Sequence, residues 1–412
     1  MKKLINIAQV QMQQFVDTLN NKEKEFREKI RKHKFPTWNI CRRKQKKFIT
    51  KYGTFSLNIT MYETRINRKV KRFTYYHDDI MKQIMKYKYD YELMNDLCFK
   101  YLNGENIGFI NGKRISANHI KYWIKLLGID KNIEEENNRL IDEIKSKKLN
   151  DYNSDIDIEI DDTYNGVNSK ISSRKHCFRQ AVIHSKRNNK IGKNGVVMLM
   201  LLGDKEKEKN SKTNGKKIND FQNHILKNIN DFTRKGTKLF LKADGAKWIK
   251  NIANNIKANY VLDLFHLKFV TKKAIGYSKH SNNPYKNFFK NWYSKTFNAR
   301  WYDLFEYVFE CKTLQDCDSL MNIFMAEFDE LKCENNELKA HIRAFIKYID
   351  NNKKGIWNLD GYRIKRACYT EHFVYAKCKK HIKRPQALYG YEAIKLRIMY
   401  GNLKSGYCTL FY

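Results

Sequence analysis

The 412-residue chain is poor in the residues that break regular structure, with only 3 prolines and 18 glycines. That excludes a collagen-like or flexible-linker protein. Its nine cysteines include no C-x-x-C pair, so reduced and mostly buried thiols are expected. Long apolar runs are also missing. The longest, Val196 to Leu202, covers seven residues, whereas a membrane span needs about 20. In the opening stretch MKKLINIAQVQMQQ, Asn and Gln interrupt the apolar residues, so no signal peptide is expected and the predicted location is cytoplasmic. The most informative shortage is acid. Asp and Glu number 44 against 81 Lys and Arg, which leaves a formal net charge of +37.

Hydrophobic residues make up 42% and aromatics 14%, enough to build cores, and the length suits two or three domains. A charge of +37 is far beyond the surplus of about 2–8 that keeps a small domain soluble. Part of it reflects a Lys- and Asn-rich residue usage. The rest points to an anionic polymer that offsets self-repulsion.

Residues 1–35 read as a helix, with Leu4, Ala8, Met12, Phe15 and Leu19 on one face. The stretch Arg42 to Lys51 then holds six cations in ten residues, among them Arg42, Arg43, Lys44, Lys46 and Lys47. After a turn at Gly53, Phe55, Leu57, Ile59 and Met61 alternate with polar residues, a half-buried strand that makes the basic run one arm of a hairpin. Leu93, Leu97 and Tyr101 mark a helix ending at Asn103-Gly104, and Ser116 caps another that carries Ile120, Trp123, Ile124 and Leu127. Lys121 and Lys125 lie on its opposite face, an outline resembling a helix-turn-helix.

Asp151 to Asp162 contains six acids and no cation. It reads as the end of a 131–154 linker running into a strand, where Ile156, Ile158 and Ile160 alternate with Asp157, Glu159 and Asp161. Further strands are expected at 176–184, 195–203, 237–244 and 260–265, with helices at 218–233 and 246–256. That pattern predicts a mixed α/β core over 155–266. Residues 267–360 carry helical stripes only, such as Trp301, Leu304, Phe305 and Val308, and predict a helical insertion. A helix at 368–382 and a basic tail complete the last segment, 361–412.

Asp161 and Asp244 close two predicted strands, and ligands of open α/β sheets collect beyond the carboxyl ends of strands. Glu371 lies in the helix after the insertion. Three such carboxylates can hold two Mg²⁺ ions for attack at a phosphodiester, with Mn²⁺ as the alternative ion. Asp162 competes with Asp161 as the first ligand, since strand alternation puts the two on opposite faces. Cys368, His372, Cys378 and His381 fall in an alternating order that a tetrahedral zinc site does not use. Trp248 and Trp301 are candidates for base stacking or for core packing.

Asp161-Asp162-Thr163-Tyr164 resembles the D-x-T-[YF] opening of Mutator-like transposases, and its register favours Asp161. Asp244-Gly245-Ala246-Lys247-Trp248-Ile249 is similar to the DGAxWI phrase of bacterial insertion-sequence transposases of the ISLre type. Asp263-Leu264-Phe265-His266 resembles their DxFH signature. Cys368, Glu371 and His372, followed by Arg384-Pro385, resemble the C-x-x-E-x-H helix and downstream RP phrase, with His372 one place early. The basic run before Thr50-Lys51-Tyr52-Gly53 extends the likeness through most of the chain. After Arg384-Pro385 the sequence departs from the family's Gly-Trp continuation.

The resemblance implies an RNase H-like DDE transposase in which Asp161, Asp244 and Glu371 bind two Mg²⁺, with Asp263, His266, His372 and Trp248 in support. It further implies a bacterial, nucleoid-associated protein. Double-stranded DNA, both element ends and target, would be bound by the region 1–130 through Arg42, Arg43, Lys44, Lys46, Lys47, Lys121 and Lys125, and by Lys383 and Arg384 of the tail. Synapsis of two ends implies a dimer or higher assembly. The alternatives are a nuclease of the same fold that does not join strands, and an inactive DNA-binding remnant of a mobile element.

Overall fold

The computed structural model describes residues 6–107, 109–110, 113–151, 154–168, 173–187, 190–204, 213–274, 286–308, 310–331, 335–364, 368–382 and 389–412. The architecture is mixed α/β, and the chain divides into two compact units, Met1–Asn132 and Ile133–Tyr412.

In the first unit, β1 (Asn39–Thr50), β2 (Gly53–Ile66) and β3 (Lys69–Thr74) form an antiparallel sheet in the order β1-β2-β3. The helix Ile7–Glu25 packs on it through Val16 and Leu19, which meet Phe48, Phe55, Leu57 and Ile59. Phe15 points outward instead, and Val16 takes the place the spacing had given it, while Leu4 lies outside the described residues. β3 pairs only with Met61–Ile66. Where it stops, Asn20 completes the open edge of β2, donating to the Ser56 carbonyl at 3.1 Å and accepting from the Asn58 amide at 2.8 Å.

The helices Tyr91–Asn103 and Ala117–Leu126 end and start as read, at Gly104 with φ +80° and at Ser116, whose Oγ accepts from His119 N. The connection between them is not the three- or four-residue turn of a helix-turn-helix. It holds a short hairpin, β4 (Phe109–Ile110) and β5 (Lys113–Arg114).

The second unit is built on a six-stranded sheet in the order β10-β9-β6-β7-β8-β11. β6 (Asp155–Asn168), β7 (Ser173–Arg187) and β8 (Lys190–Asp204) run antiparallel as a meander. β9 (Leu239–Ala243) joins β6 in parallel, and β10 (Asn259–Leu262) joins β9 in parallel. Ile156, Ile158 and Ile160 with Leu241 and Ala243 form one face, buried beneath Phe221, Ile225, Ile229 and Phe232 of the helix Thr213–Phe232. Each fully buried isoleucine contributes about 1.5–3 kcal/mol.

Three expectations change here. The 131–154 linker is largely the helix Ile129–Lys147. Its Asn137 is bound into the sheet, donating to the Thr409 carbonyl at 3.0 Å and accepting from the Thr409 amide at 2.7 Å. The basic tail is a helix, Tyr391–Leu403, followed by β11 (Tyr407–Phe411), which adds in parallel to β8. The strand read at 260–265 stops at Leu262, because Asp263 turns the chain and caps the helix Leu264–Ala274. That helix opens the predicted insertion, whose remaining helices, Lys286–Asn291, Trp301–Tyr307, Leu314–Glu330 and Asn336–Ile356, share a core around Trp292, Trp301, Phe305 and Phe324.

Candidate active site

Strand alternation places Asp157, Glu159 and Asp161 on the face of the sheet opposite the isoleucines. β9 matches this face residue for residue, since Asp157 pairs with Phe240 and Glu159 with Lys242. The same register carried two residues further sets Asp161 beside Asp244. On β10, Leu262 pairs with Ala243, and the Asp263 amide donates to the Ala243 carbonyl at 2.9 Å. Asp244 and Asp263 therefore directly follow the carboxyl ends of β9 and β10, and Asp161 lies on β6 two residues past the last β6–β9 pair.

Glu371 arrives from above. Its helix, Thr370–Val374, is docked by Glu159, which accepts from Thr370 Oγ1 at 2.7 Å and from the Tyr369 amide at 3.3 Å. Gln180, the β7 partner of Asp161, donates to the Phe373 carbonyl at 3.1 Å. These bonds pin the helix on either side of Asp161.

The electrostatics record the result. The Asp161 carboxyl is pushed up to about 7, first by burial and then by the negative charges of Glu371 and Asp244. The Asp162 amide, which donates to Asp161 Oδ1 at 2.7 Å, and the nearby His266 oppose that rise. His266 is itself raised. Burial lowers it, but its 3.0 Å bond to Asp263 Oδ2 and the charges of Asp263, Asp161 and Asp244 together outweigh burial. Asp161, Asp244, Asp263, His266 and Glu371 thus share one electrostatic neighbourhood. Among the described residues, no Lys or Arg forms a salt bridge with Asp161, Asp244 or Glu371.

Asp244 sits in a tight turn. Its Oδ1 accepts from the Ala246 amide at 3.0 Å, and Gly245 follows with φ +96°. A side chain at Gly245 would be strained by that φ and would meet Asn352 at 2.9 Å. Tyr348, on the helix Asn336–Ile356, donates to the Asp244 carbonyl at 3.4 Å, so the insertion supports the second acid.

The rival acid Asp162 has a different occupation. Arg179 holds it through two bonds, Nε to Oδ1 at 2.9 Å and Nη2 to Oδ2 at 2.8 Å. The guanidinium lies 3.9 Å from the centroid of the Trp248 ring. Trp248 is half-buried and serves as a platform for an arginine, and Trp301 is buried with its Nε1 bonded to Glu327 at 2.9 Å. His372 is exposed, and its ring meets Phe373 in a T-shaped contact at 5.8 Å. Cys378 is buried and His381 bonds the Ala376 carbonyl at 2.9 Å, so the four residues weighed for zinc do not converge.

One cluster went unrecognised in the sequence. The ligand atoms of Asp157, Glu159 and His184 lie within 4.8 Å of one another, fully buried, and this group could hold a metal ion. In the structure a protein cation serves it. Lys242 Nζ donates to Asp157 Oδ2 at 2.5 Å and to Glu159 Oε1 at 3.1 Å. Burial lowers the Lys242 ammonium, but the charges of Glu159 and Asp157 overcome it and hold the group above its usual value.

In the first unit, Arg42, Arg43, Lys44, Lys46 and Lys47 are all exposed along β1, an edge strand. Alternation sends Arg42, Lys44 and Lys46 to one side and Arg43 and Lys47 to the other. β3, at the other edge, adds exposed Lys69, Lys71 and Arg72. Lysines on an edge strand also discourage edge-to-edge pairing. Lys125 is exposed and Lys121 half-buried, whereas Lys383 and Arg384 lie outside the described residues. No helix among the described residues is long and apolar enough to cross a membrane.

No protein-family model matches the chain. No curated protein matches it either.

Proposed function

We propose that the chain is a DNA transposase with an RNase H-like core, cutting element ends and joining them to target DNA by in-line attack at phosphodiesters. The observation that carries this reading is the group Asp161, Asp244 and Glu371: three carboxylates in one electrostatic neighbourhood, on the sheet end where ligands collect, with no lysine or arginine salt-bridged to them among the described residues. The donor set is all hard oxygen, which suits Mg²⁺ or Mn²⁺, and mutual repulsion at Asp161 is what a dication relieves. Two such ions would supply an activated water or 3′-hydroxyl and charge stabilisation at the leaving oxygen.

The chain's own residues do the rest. Glu159 and Gln180 hold the Glu371 helix, and the Asp244 turn fixes the second carboxylate. Asp263 orients His266, whose side chain keeps 20% exposure and can present an imidazolium to a phosphate. The exposed cations of β1 and β3 supply sequence-independent affinity for double-stranded DNA, with a steep salt dependence. Joining two ends calls for a dimer or larger assembly on DNA.

The test is a strand-transfer assay with pre-cut ends and Mg²⁺, comparing the wild-type chain with Asp161→Ala and Glu371→Ala. Joined product from the wild type alone is expected. Hydrolysis without joining would make the protein a nuclease, and no reaction on any substrate would leave a DNA-binding remnant.

A further inference from the structure

The helix Leu264–Ala274 leaves the site with two phenylalanines in solvent. Leu267, Thr271 and Ala274 form its inward stripe and are buried. Phe265 and Phe269 point the other way and are 56% and 54% exposed. They are four residues apart and so stand one above the other on the helix surface. Scattered single apolar residues on a surface need no explanation. This pair is different in three respects. It begins two residues after Asp263, and the Phe265 ring packs edge-on against His266 at 5.6 Å. Exposed Lys268 and Lys273 flank it, at three-residue spacing from Phe265 and four-residue spacing from Phe269. The two tryptophans weighed for base stacking are less available, Trp248 being half-buried against Arg179 and Trp301 buried in the insertion core.

We infer that Phe265 and Phe269 form a stacking shelf for unpaired nucleobases of the DNA strand whose backbone passes the acids. Any base has a flat π-face that a phenylalanine can cover, and lysines alongside match the phosphates that link such bases. A duplex end hides its bases in the stack, so the shelf serves a frayed or single-stranded terminus and not intact double helix. The inference rests on the proposal that this chain processes DNA.

Fluorescence anisotropy with the full-length protein separates the two claims. One probe is a blunt duplex and the other is the same duplex with an unpaired thymidine tail. Wild-type binding to the blunt duplex tests the DNA reading by itself. For the shelf, the wild type binds the tailed probe more tightly than the blunt one. The double variant Phe265→Ala/Phe269→Ala loses about 30-fold or more on the tailed probe and changes blunt-duplex affinity by less than about twofold. Phe265→Trp/Phe269→Trp, which keeps two ring faces, retains the tail preference. A 2-aminopurine placed in the tail is quenched on binding to the wild type and not to the alanine variant. Equal losses on both probes, or an unchanged tail preference in the alanine variant, would overturn the shelf. So would a change of oligomeric state without a change in tail binding, which would make the pair a contact between copies. Failure of the wild type to bind either probe would remove the DNA reading and the shelf together.

Discussion

Two acid clusters sit on one face of the same strand, two residues apart, and they have opposite fates. Asp157 and Glu159 are buried and share the ammonium of Lys242. Asp161 is partly open and has Asp244 and Glu371 for neighbours, with His266 as the nearby positive group. What separates them is the residue across the pair on β9. Lys242 stands opposite Glu159, and two residues later, in the turn that follows β9, comes Asp244. A buried acid with a cation opposite becomes part of the fold, while Asp161, among other acids, keeps a net repulsion that the Asp162 amide and His266 offset only in part. Natural proteins concentrate such repulsion where a ligand is to be bound.

The comparison breaks most visibly at Lys242. Lys242→Met takes the nearest cation from buried Asp157 and Glu159, although Lys186 stays 3.9 Å from Asp157, and should cost about 3–5 kcal/mol in urea melts. Unchanged stability with a newly gained affinity for divalent ions would make the buried cluster a metal site kept closed by lysine.

Asp162 comes next. Asp162→Ala deprives the buried Arg179 of a two-bond partner and should cost about 1.5–3 kcal/mol, with divalent-ion binding unchanged. Loss of ion binding at full stability would reassign the first ligand from Asp161 to Asp162.

The third change runs the other way. In the folded chain Asp161 holds its proton up to about 7, above the 3.8 of an ordinary Asp. Between those values the folded state binds a proton that the unfolded state has released. Wild-type stability is therefore lost as pH rises through that window. Asp161→Asn removes the effect, so without divalent ions the variant should be more stable by about 1–2 kcal/mol at pH 8. The advantage should disappear near pH 4, and thermal melts across this range check both ends. A destabilised variant at pH 8 would mean that Asp161 is part of the fold.

Much of this frame was legible in the sequence. Ile156, Ile158 and Ile160 announced both the strand and its buried face, and Ser116 and Gly104 marked helix ends by their own chemistry. The acids at 161, 244 and 371 could be singled out because they fall in quoted motifs, and Asp244 also directly follows a strand end; Asp161, read as closing its strand, instead lies midway along β6, which runs on to Asn168 across from β7. The burial of Asp157 and Glu159 was not legible, because the lysine that allows it lies 85 and 83 residues away and only the β6–β9 register brings it in. The same holds for Asp162, whose partner Arg179 is 17 residues on and across a hairpin. β11 was missed because a short segment after a basic stretch carries little periodicity, and its partner β8 lies far back in the chain, with Tyr407 paired to Gly195. Local pattern reported elements and caps, whereas charge pairing needed the register of the sheet.

The most direct test of which cluster binds metal is a Mn²⁺ titration of the full-length chain at pH 8, followed by electron paramagnetic resonance. The wild type should bind, and Asp161→Asn, folded and more stable, should lose about tenfold or more in affinity. Mn²⁺ binding that persists undiminished in Asp161→Asn would contradict the account.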